Sequence, residues 1–260
     1  MFRKSEAIEI KSVDEIALMR EAGLVVAQTL ESLREQITPG MTTRDLDAIA
    51  RESIASHGAT PSFLGYYGFP AVICTSVNEE VVHGIPGDRV IQGGDIVSID
   101  CGAIVEGWHG DAAISILVGE ADPRVQALSE ATKAALWAGI AQARVGHRLS
   151  DIGHAVETCI RDADDYGIVE EYVGHGIGSS MHMHPPVPNY GRAGRGPRLE
   201  PGMALAIEPM ATLGEATVAV LADEWTVVTV DGLPAAHWEH TVAITDDGPW
   251  VTTSLEGTRL

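Results

Sequence analysis

Two stretches of this chain run from a glycine turn along an apolar strand into a carboxylate: Gly93-Gly94-Asp95-Ile96-Val97-Ser98-Ile99-Asp100 and Pro201-Gly202-Met203-Ala204-Leu205-Ala206-Ile207-Glu208. An ionised acid leaving a buried strand is costly unless it is paired or bound to a metal, so the fold must bring positive charge to these ends. Glu239 sits the same way, and Asp111 follows the Trp108-His109-Gly110 turn at the start of another strand. No cluster of Lys or Arg lies near any of the four in sequence. With 17 Lys and Arg against 37 Asp and Glu, the net charge is −20 and neutralising side chains are scarce.

The order of elements also repeats. Ser12-Val13-Asp14-Glu15 is a capping box, and Ile16, Met19, Ala22, Val26, Leu30 and Leu33 follow at helical spacing until Thr38-Pro39-Gly40. Thr43 caps a second amphipathic helix ended by Gly58. Short β-branched runs at 71–74, 96–100 and 112–118 read as strands. Asp122-Pro123 opens a third helix through Ala143, and Ser150 caps a fourth through Tyr166. Residues 168–250 return to strands, with Asp231-Gly232 as a hairpin turn. This reads as a weak internal duplication; the alternative is two unrelated buried strands that both end in acids. Runs of strands separated by helix pairs predict an α+β fold, an antiparallel sheet covered by two pairs of helices. At roughly 100 to 200 residues per domain, the 260 residues, 45% of them hydrophobic, make one domain over 1–260. Its halves are 12–120 and 121–250, after a lead of 1–11, and no linker-like segment divides them.

Charge and composition exclude several functions. A net −20 repels phosphate backbones and anionic lipid, so nucleic-acid binding by bulk charge is excluded. Cys74, Cys101 and Cys159 make an odd number without CxxC spacing, which favours a reducing compartment over disulfides or a thiolate zinc site. Cys101 and Cys159 read as core residues. No secretory leader and no membrane span is visible, so a soluble, cytoplasmic protein is expected. A monomer is the default, without a seam of apolar heptads. Asp45, Asp47, Glu52 and the run 162–165 read as solvated helix faces.

Asp100, Asp111, Glu208 and Glu239, with His175 in Gly174-His175-Gly176-Ile177-Gly178, form an oxygen and nitrogen donor set that Mn, Fe, Co or Zn accepts. Two divalent ions would carry +4 against the −4 of the acids. Because the five are spread from position 100 to 239, spacing alone does not join them.

The ordered set of fragments does. Asn78-Glu79-Glu80-Val81-Val82-His83-Gly84-Ile85-Pro86, Asp100, Gly107-Trp108-His109-Gly110-Asp111, the His175 segment with His182 and Pro185, Ile207-Glu208-Pro209-Met210 and Glu239-His240-Thr241 together resemble the type I methionine aminopeptidases in their bacterial form, within peptidase family M24. The resemblance spans Ser12 to about Thr245 and implies the pseudo-twofold "pita-bread" fold. It implies two divalent ions: Asp100 chelates one, Asp111 and Glu239 bridge the pair, and His175 and Glu208 complete the other's shell. The ions would share a water acidified enough to attack the first peptide bond near neutral pH. Glu208 would handle its proton, His182 would donate to the developing oxyanion, and His83 would contact the scissile amide nitrogen. Phe63, Tyr66, Phe69, Cys74, Met181 and Trp225 fall on the family's methionine pocket. Position 63 is often Cys in bacterial relatives, and Met183-His184 stands where acidic residues are common, which bears on pocket shape rather than on the reaction.

Implied partners are N-terminal methionine peptides of nascent chains, with transient ribosome contact resting on Arg192, Arg195 and Arg198. Without the resemblance, His83 reads as an ordinary loop histidine and Trp225 as core. His184 alternates with His182 but reads as surface, and His109 and His240 read as structural neighbours of ligands. Two other functions compete: a proline-specific aminopeptidase or dipeptidase of the same fold, and a binding protein that has lost the metal. Proline-specific relatives typically carry a sizeable N-terminal domain, whereas this chain reaches its first helix by Ser12, and all five ligands are intact.

Overall fold

Four helices frame the structure, a computed structural model that describes residues 7–260. Residues 1–6 of the lead lie outside the described residues. Helix α1 (Val13–Gln36) starts at the Ser12–Glu15 capping box and buries Ile16, Met19, Ala22, Val26, Leu30 and Leu33, the residues its periodicity selects. Helix α2 (Thr43–Ser56) is capped one residue earlier than expected, by Thr42. The cause is Asp45, whose carboxylate reaches back to the Thr42 amide at 2.7 Å and closes a second box. Asp47 is not a solvated acid: its Oδ1 accepts from the amides of Val72, 2.7 Å, and Ile73, 3.3 Å, at the start of the strand Ile73–Val77.

Helix α3 (Pro123–Gln142) begins at Asp122-Pro123 as expected. Helix α4 (Leu149–Ala163) differs at both ends. Its N-cap is Arg148, whose amide donates to Asp151 at 2.7 Å, while Ser150 accepts from the amide of Arg195 instead. It stops before Asp164, since acids in the last turn oppose the negative end of the helix dipole.

Among the described residues all strand pairs are antiparallel, in four sheets. In the first half Ile96–Val105 and Trp108–Leu117 form a hairpin of two ten-residue strands, longer than the β-branched runs alone suggest. Its turn is Glu106-Gly107, both at positive φ, which suits a tight primed turn. Asp100 therefore lies mid-strand rather than at a strand end. Ile73–Val77 pairs on the other edge of Ile96–Val105. In the second half Ala204–Ile207 is flanked by Gly174–Gly176 and His240–Thr245. Asp231-Gly232 is a turn but not a hairpin: Val227–Thr229 before it pairs with Val218–Val220, and Ala235–His237 after it pairs with Met210–Thr212.

Helices α1 and α2 close one apolar core against the first hairpin, where Val26, Leu33, Leu46, Ile54, Val97 and Ile99 are fully buried. Helices α3 and α4 cover the second half through Leu136, Ile140, Ile152, Leu205 and Ile207. Each such side chain contributes about 1.5–3 kcal/mol on burial. Two helix pairs on antiparallel ladders, one pair per half, make the α+β pita-bread arrangement. Among the described residues no helix is long and apolar enough to cross a membrane.

Candidate metal centre

The seam between the halves gathers the acids. On the first hairpin Asp100 is opposite Ala113 and Gly102 is opposite Asp111, so Asp100 and Asp111 are diagonal neighbours on one face. Cys74 is the cross-strand partner of Asp100 on the other side. In the second half His240 pairs with Ile207, which puts Glu208 and Glu239 across from each other one step beyond that pair. Backbone bonds sew the two sets together: Glu239 N to Ala113 O at 2.9 Å and Ala113 N to Glu239 O at 3.3 Å. Thr241 Oγ1 accepts from the Asp111 amide and donates to its carbonyl, at 3.0 and 2.8 Å.

His175 enters from a three-residue strand opposite Ala206. Its flanking glycines are required by packing. A Cβ on Gly174 would collide with the carbonyl of Ala206, and one on Gly176 with the carbonyl of His184. His175 Nε2 lies 3.6 Å from Glu208 Oε1 and 4.0 Å from Asp111 Oδ2. Donor atoms of Asp111, His175 and Glu239 lie within 4.8 Å of one another, and so do those of Glu208, His237 and Glu239.

Asp100 Oδ1, Asp111 Oδ1 and Glu239 Oε1 are buried without any hydrogen-bond partner. Asp100 as a residue keeps some exposure, but that oxygen has none. Burial pushes the carboxyls of Asp100 and Glu208 up, to about 7 and about 8. Burial, then repulsion from the neighbouring acids, lifts Asp111 and Glu239 well above the carboxylate range. Burial drives His175 down to about 3, so its ring is neutral and free to coordinate. Acids that resist sharing a site, with orphaned oxygens and a neutral imidazole, fit divalent cations chemically.

A cavity of about 130 Å³ opens onto these groups, and it is lined by all thirteen residues expected from sequence. Phe63, Phe69, Cys74 and Met181 are buried in its wall with Tyr66 and Trp225 against them. Trp225 meets Phe69 edge-on at 5.0 Å. His182 lies at the mouth, its ring centroid 4.2 Å from that of His175, and its Nδ1 is 2.9 Å from the Tyr66 hydroxyl. Burial raises the Tyr66 phenol, which stays protonated and shares this hydrogen bond with Nδ1. His83 stands edge-on to Tyr172 at 5.5 Å, and burial takes it down to about 4.

His184 is exposed and does not line the cavity. His240 turns away to Thr253 Oγ1, 2.9 Å. His109, two residues before Asp111, is anchored by Ser62 Oγ at 3.0 Å. Cys101 is buried in the first-half core, whereas Cys159 is half-buried against a separate cluster that includes Val156 and Ile160. A larger surface depression of about 700 Å³, between Tyr166 and Asp231, contains none of these groups. Sequence reasoning missed His237, 2% exposed, with Nε2 3.7 Å from Glu208 Oε2. The available signal was its place two residues before Glu239, which on an extended chain gives both the same face.

An α+β fold with a carboxylate and imidazole centre between its halves defines a candidate metalloenzyme site. The metallopeptidase family M24 pattern matches residues 17–246, and the chain belongs to that family. Methionine aminopeptidase 1 of Mycobacterium tuberculosis is 53% identical over 257 residues, covering 96% of this chain and 97% of the relative. A crystal structure of methionine aminopeptidase from Thermotoga maritima superposes with a TM-score of 0.93 at 42% identity, covering 95% of this chain and 100% of that one. A prolidase from Pyrococcus furiosus, at 24% identity and TM-score 0.76 over 94% of this chain and 65% of its own, shares the fold.

Proposed function

We propose that this metallopeptidase is a methionine aminopeptidase that removes the initiator methionine from nascent chains. The observation that carries the reading is the coincidence of the cavity lining with the thirteen residues read from sequence, an apolar slot ending on orphaned carboxylates. We take the chain as one catalytic domain acting as a monomer in the cytoplasm.

Asp100, Asp111, His175, Glu208 and Glu239 would hold two divalent ions, drawn from Co, Mn, Fe or Zn. Such a pair supplies a water acidified toward neutrality and a sink for charge on a carbonyl oxygen. The chain supplies the rest. Glu208, buried at the floor of the slot, would take a proton from the water and pass it to the leaving amine, and burial favours its protonated form. With Tyr66 donating to Nδ1, His182 would carry its proton on Nε2 and donate to the carbonyl oxygen as charge builds there. His83 meets the scissile amide nitrogen. Phe63, Tyr66, Phe69, Cys74, Met181 and Trp225 exclude water and fit a flexible thioether.

Arg192, Arg195 and Arg198 are the surface assigned to transient ribosome contact. They are exposed on a loop pinned to α4 through Gly194 N to Asp151 Oδ1, 2.6 Å, and Arg195 N to Ser150 Oγ, 2.7 Å.

The test is metal-stripped protein, then protein with Mn, Co, Fe or Zn restored, given Met-Gly-Met and Gly-Pro-Gly. Metal-dependent release of methionine alone, abolished by Asp111→Asn, is the expected result. Release of glycine ahead of proline moves the assignment to the proline-specific branch, and silence with every metal favours a binding protein.

A further inference from the structure

His237 has no part in the chemistry assigned above, yet it is the most tightly placed imidazole beside it. Its strand Ala235–His237 pairs with Met210–Thr212, with His237 opposite Met210, two residues after Glu208. Ser115 on the first hairpin accepts from the His237 amide at 3.0 Å and donates to its carbonyl at 2.9 Å. Ser115 in turn meets Ser98 at 2.8 Å, so the residue is fixed to both halves. The ring is 2% exposed, and its Nε2 is buried with no hydrogen-bond partner.

The ring faces Asp100 and Glu239 as well as Glu208, and its buried nitrogen is the atom that approaches Glu208. It lies 3.7 Å from Glu208 Oε2, while Glu208 Oε1 faces His175 Nε2 at 3.6 Å on the other side. The carboxylate thus stands between two imidazoles, one per oxygen. At 3.7 Å the pair stands about 0.5–1.0 Å beyond hydrogen-bond length, roughly 2.7–3.2 Å, so the bond requires the two side chains to close by that amount. Carboxylates that bind metals are characteristically held by such outer hydrogen bonds, which set which oxygen faces the ion.

We propose that His237 is a positioning residue: its Nε2–H donates to Glu208 Oε2 and holds Oε1 toward His175 and the metal. The inference rests on the reading of Glu208 as a metal ligand. Glutamine carries an amide donor of comparable reach, so it substitutes for the imidazole in this role, whereas phenylalanine fills the space without a donor.

Titration calorimetry of metal-free protein with Mn(II) and Co(II) tests it on wild type, His237→Gln, His237→Phe and Glu208→Gln, each checked for folding by circular dichroism. His237→Phe is expected to weaken binding about ten- to a hundredfold, the usual effect of losing such a partner. His237→Gln is expected to stay within about threefold of wild type and to keep the visible absorption bands of the Co(II) form, since the ion's own ligands are unchanged. Unchanged affinity in His237→Phe with loss in Glu208→Gln overturns the role of His237 while keeping Glu208 as a ligand. Unchanged affinity in both overturns the ligand reading and the proposal together. A shifted Co(II) spectrum in His237→Gln makes His237 a direct ligand and also overturns the proposal.

Discussion

Asp100→Asn is expected to stabilise the metal-free protein at pH 8 while removing its response to metal. In the folded chain burial raises the Asp100 carboxyl from 3.8 to about 7, and Oδ1 has no partner. At about 1.4 kcal/mol per unit, keeping this acid ionised at pH 8 costs on the order of 4 kcal/mol. Asparagine removes that charge but leaves buried polar atoms unpaired, at about 1–3 kcal/mol. The net gain is about 2 kcal/mol, and a chain of this size gains about 2–4 °C in Tm per kcal/mol, so the shift is about 4–8 °C. The assay is differential scanning calorimetry in EDTA at pH 8, repeated with a divalent ion in excess. Wild type should then gain about 2.7 kcal/mol at a hundred times Kd, and the variant little or nothing. A variant that melts at or below wild type in EDTA, or that keeps the metal-induced rise, refutes the picture of Asp100 as a carboxylate destabilised until a cation arrives.

Two further outcomes follow from the same structure. In EDTA, wild type should lose stability between pH 6.5 and 8. Asp100 and Glu208 keep a proton in the folded chain up to about 7 and about 8 but release it near 4 when unfolded, so the folded state binds more protons and stability falls as pH rises. Below 6.5 the trend is opposed by His83, His109, His175 and His240, held neutral down to about 3 or 4 when folded. A Tm that climbs from pH 6.5 to 8 in EDTA contradicts this. Separately, Gly176→Ala should cost about 1–3 kcal/mol by driving a methyl into the His184 carbonyl. Gly87→Ala, whose Cβ would meet only Ile85 O at 3.8 Å, should stay within about 0.5 kcal/mol. Equal Tm changes in the two variants would show that packing beside His175 is not tight.

Local chemistry explains which elements were legible. Helix α1 announces itself because a capping box and an apolar stripe agree, and Asp122-Pro123 opens α3 for the same local reason. Errors arise where two local signals compete. Thr42 and Thr43 are both cap residues; Asp45 reaches back to Thr42, while the Thr43 hydroxyl is taken by the backbone of Gly87. Arg148 is a poor cap by type, and the Ser150 hydroxyl is diverted to Arg195, a partner 45 positions away. Asp231-Gly232 has hairpin chemistry, but Ala235 N bonds to Asn78 O, and that tertiary pairing sends the strand to another sheet.

The site was legible in a different way. Nothing local links Asp100 to Glu239; their meeting depends on the Ala113–Glu239 backbone bonds between halves, and only the order of motifs along the chain pointed to it. His237 carries no motif, and its relevance exists only once Met210 and Ser115 have fixed its strand. Asp47 looks solvated in sequence because an acid on an amphipathic helix gives no sign that the amides of Val72 and Ile73, 25 and 26 positions on, will seek it.

The most direct test of the central claim is anomalous diffraction from crystals soaked in Mn(II). The account predicts two peaks about 3.5–4 Å apart, each flanked by Asp111 and Glu239, one also by Asp100 and the other by His175 and Glu208. Peaks that avoid Asp111 and Glu239, or no peak in the cavity at saturating Mn(II), would contradict it.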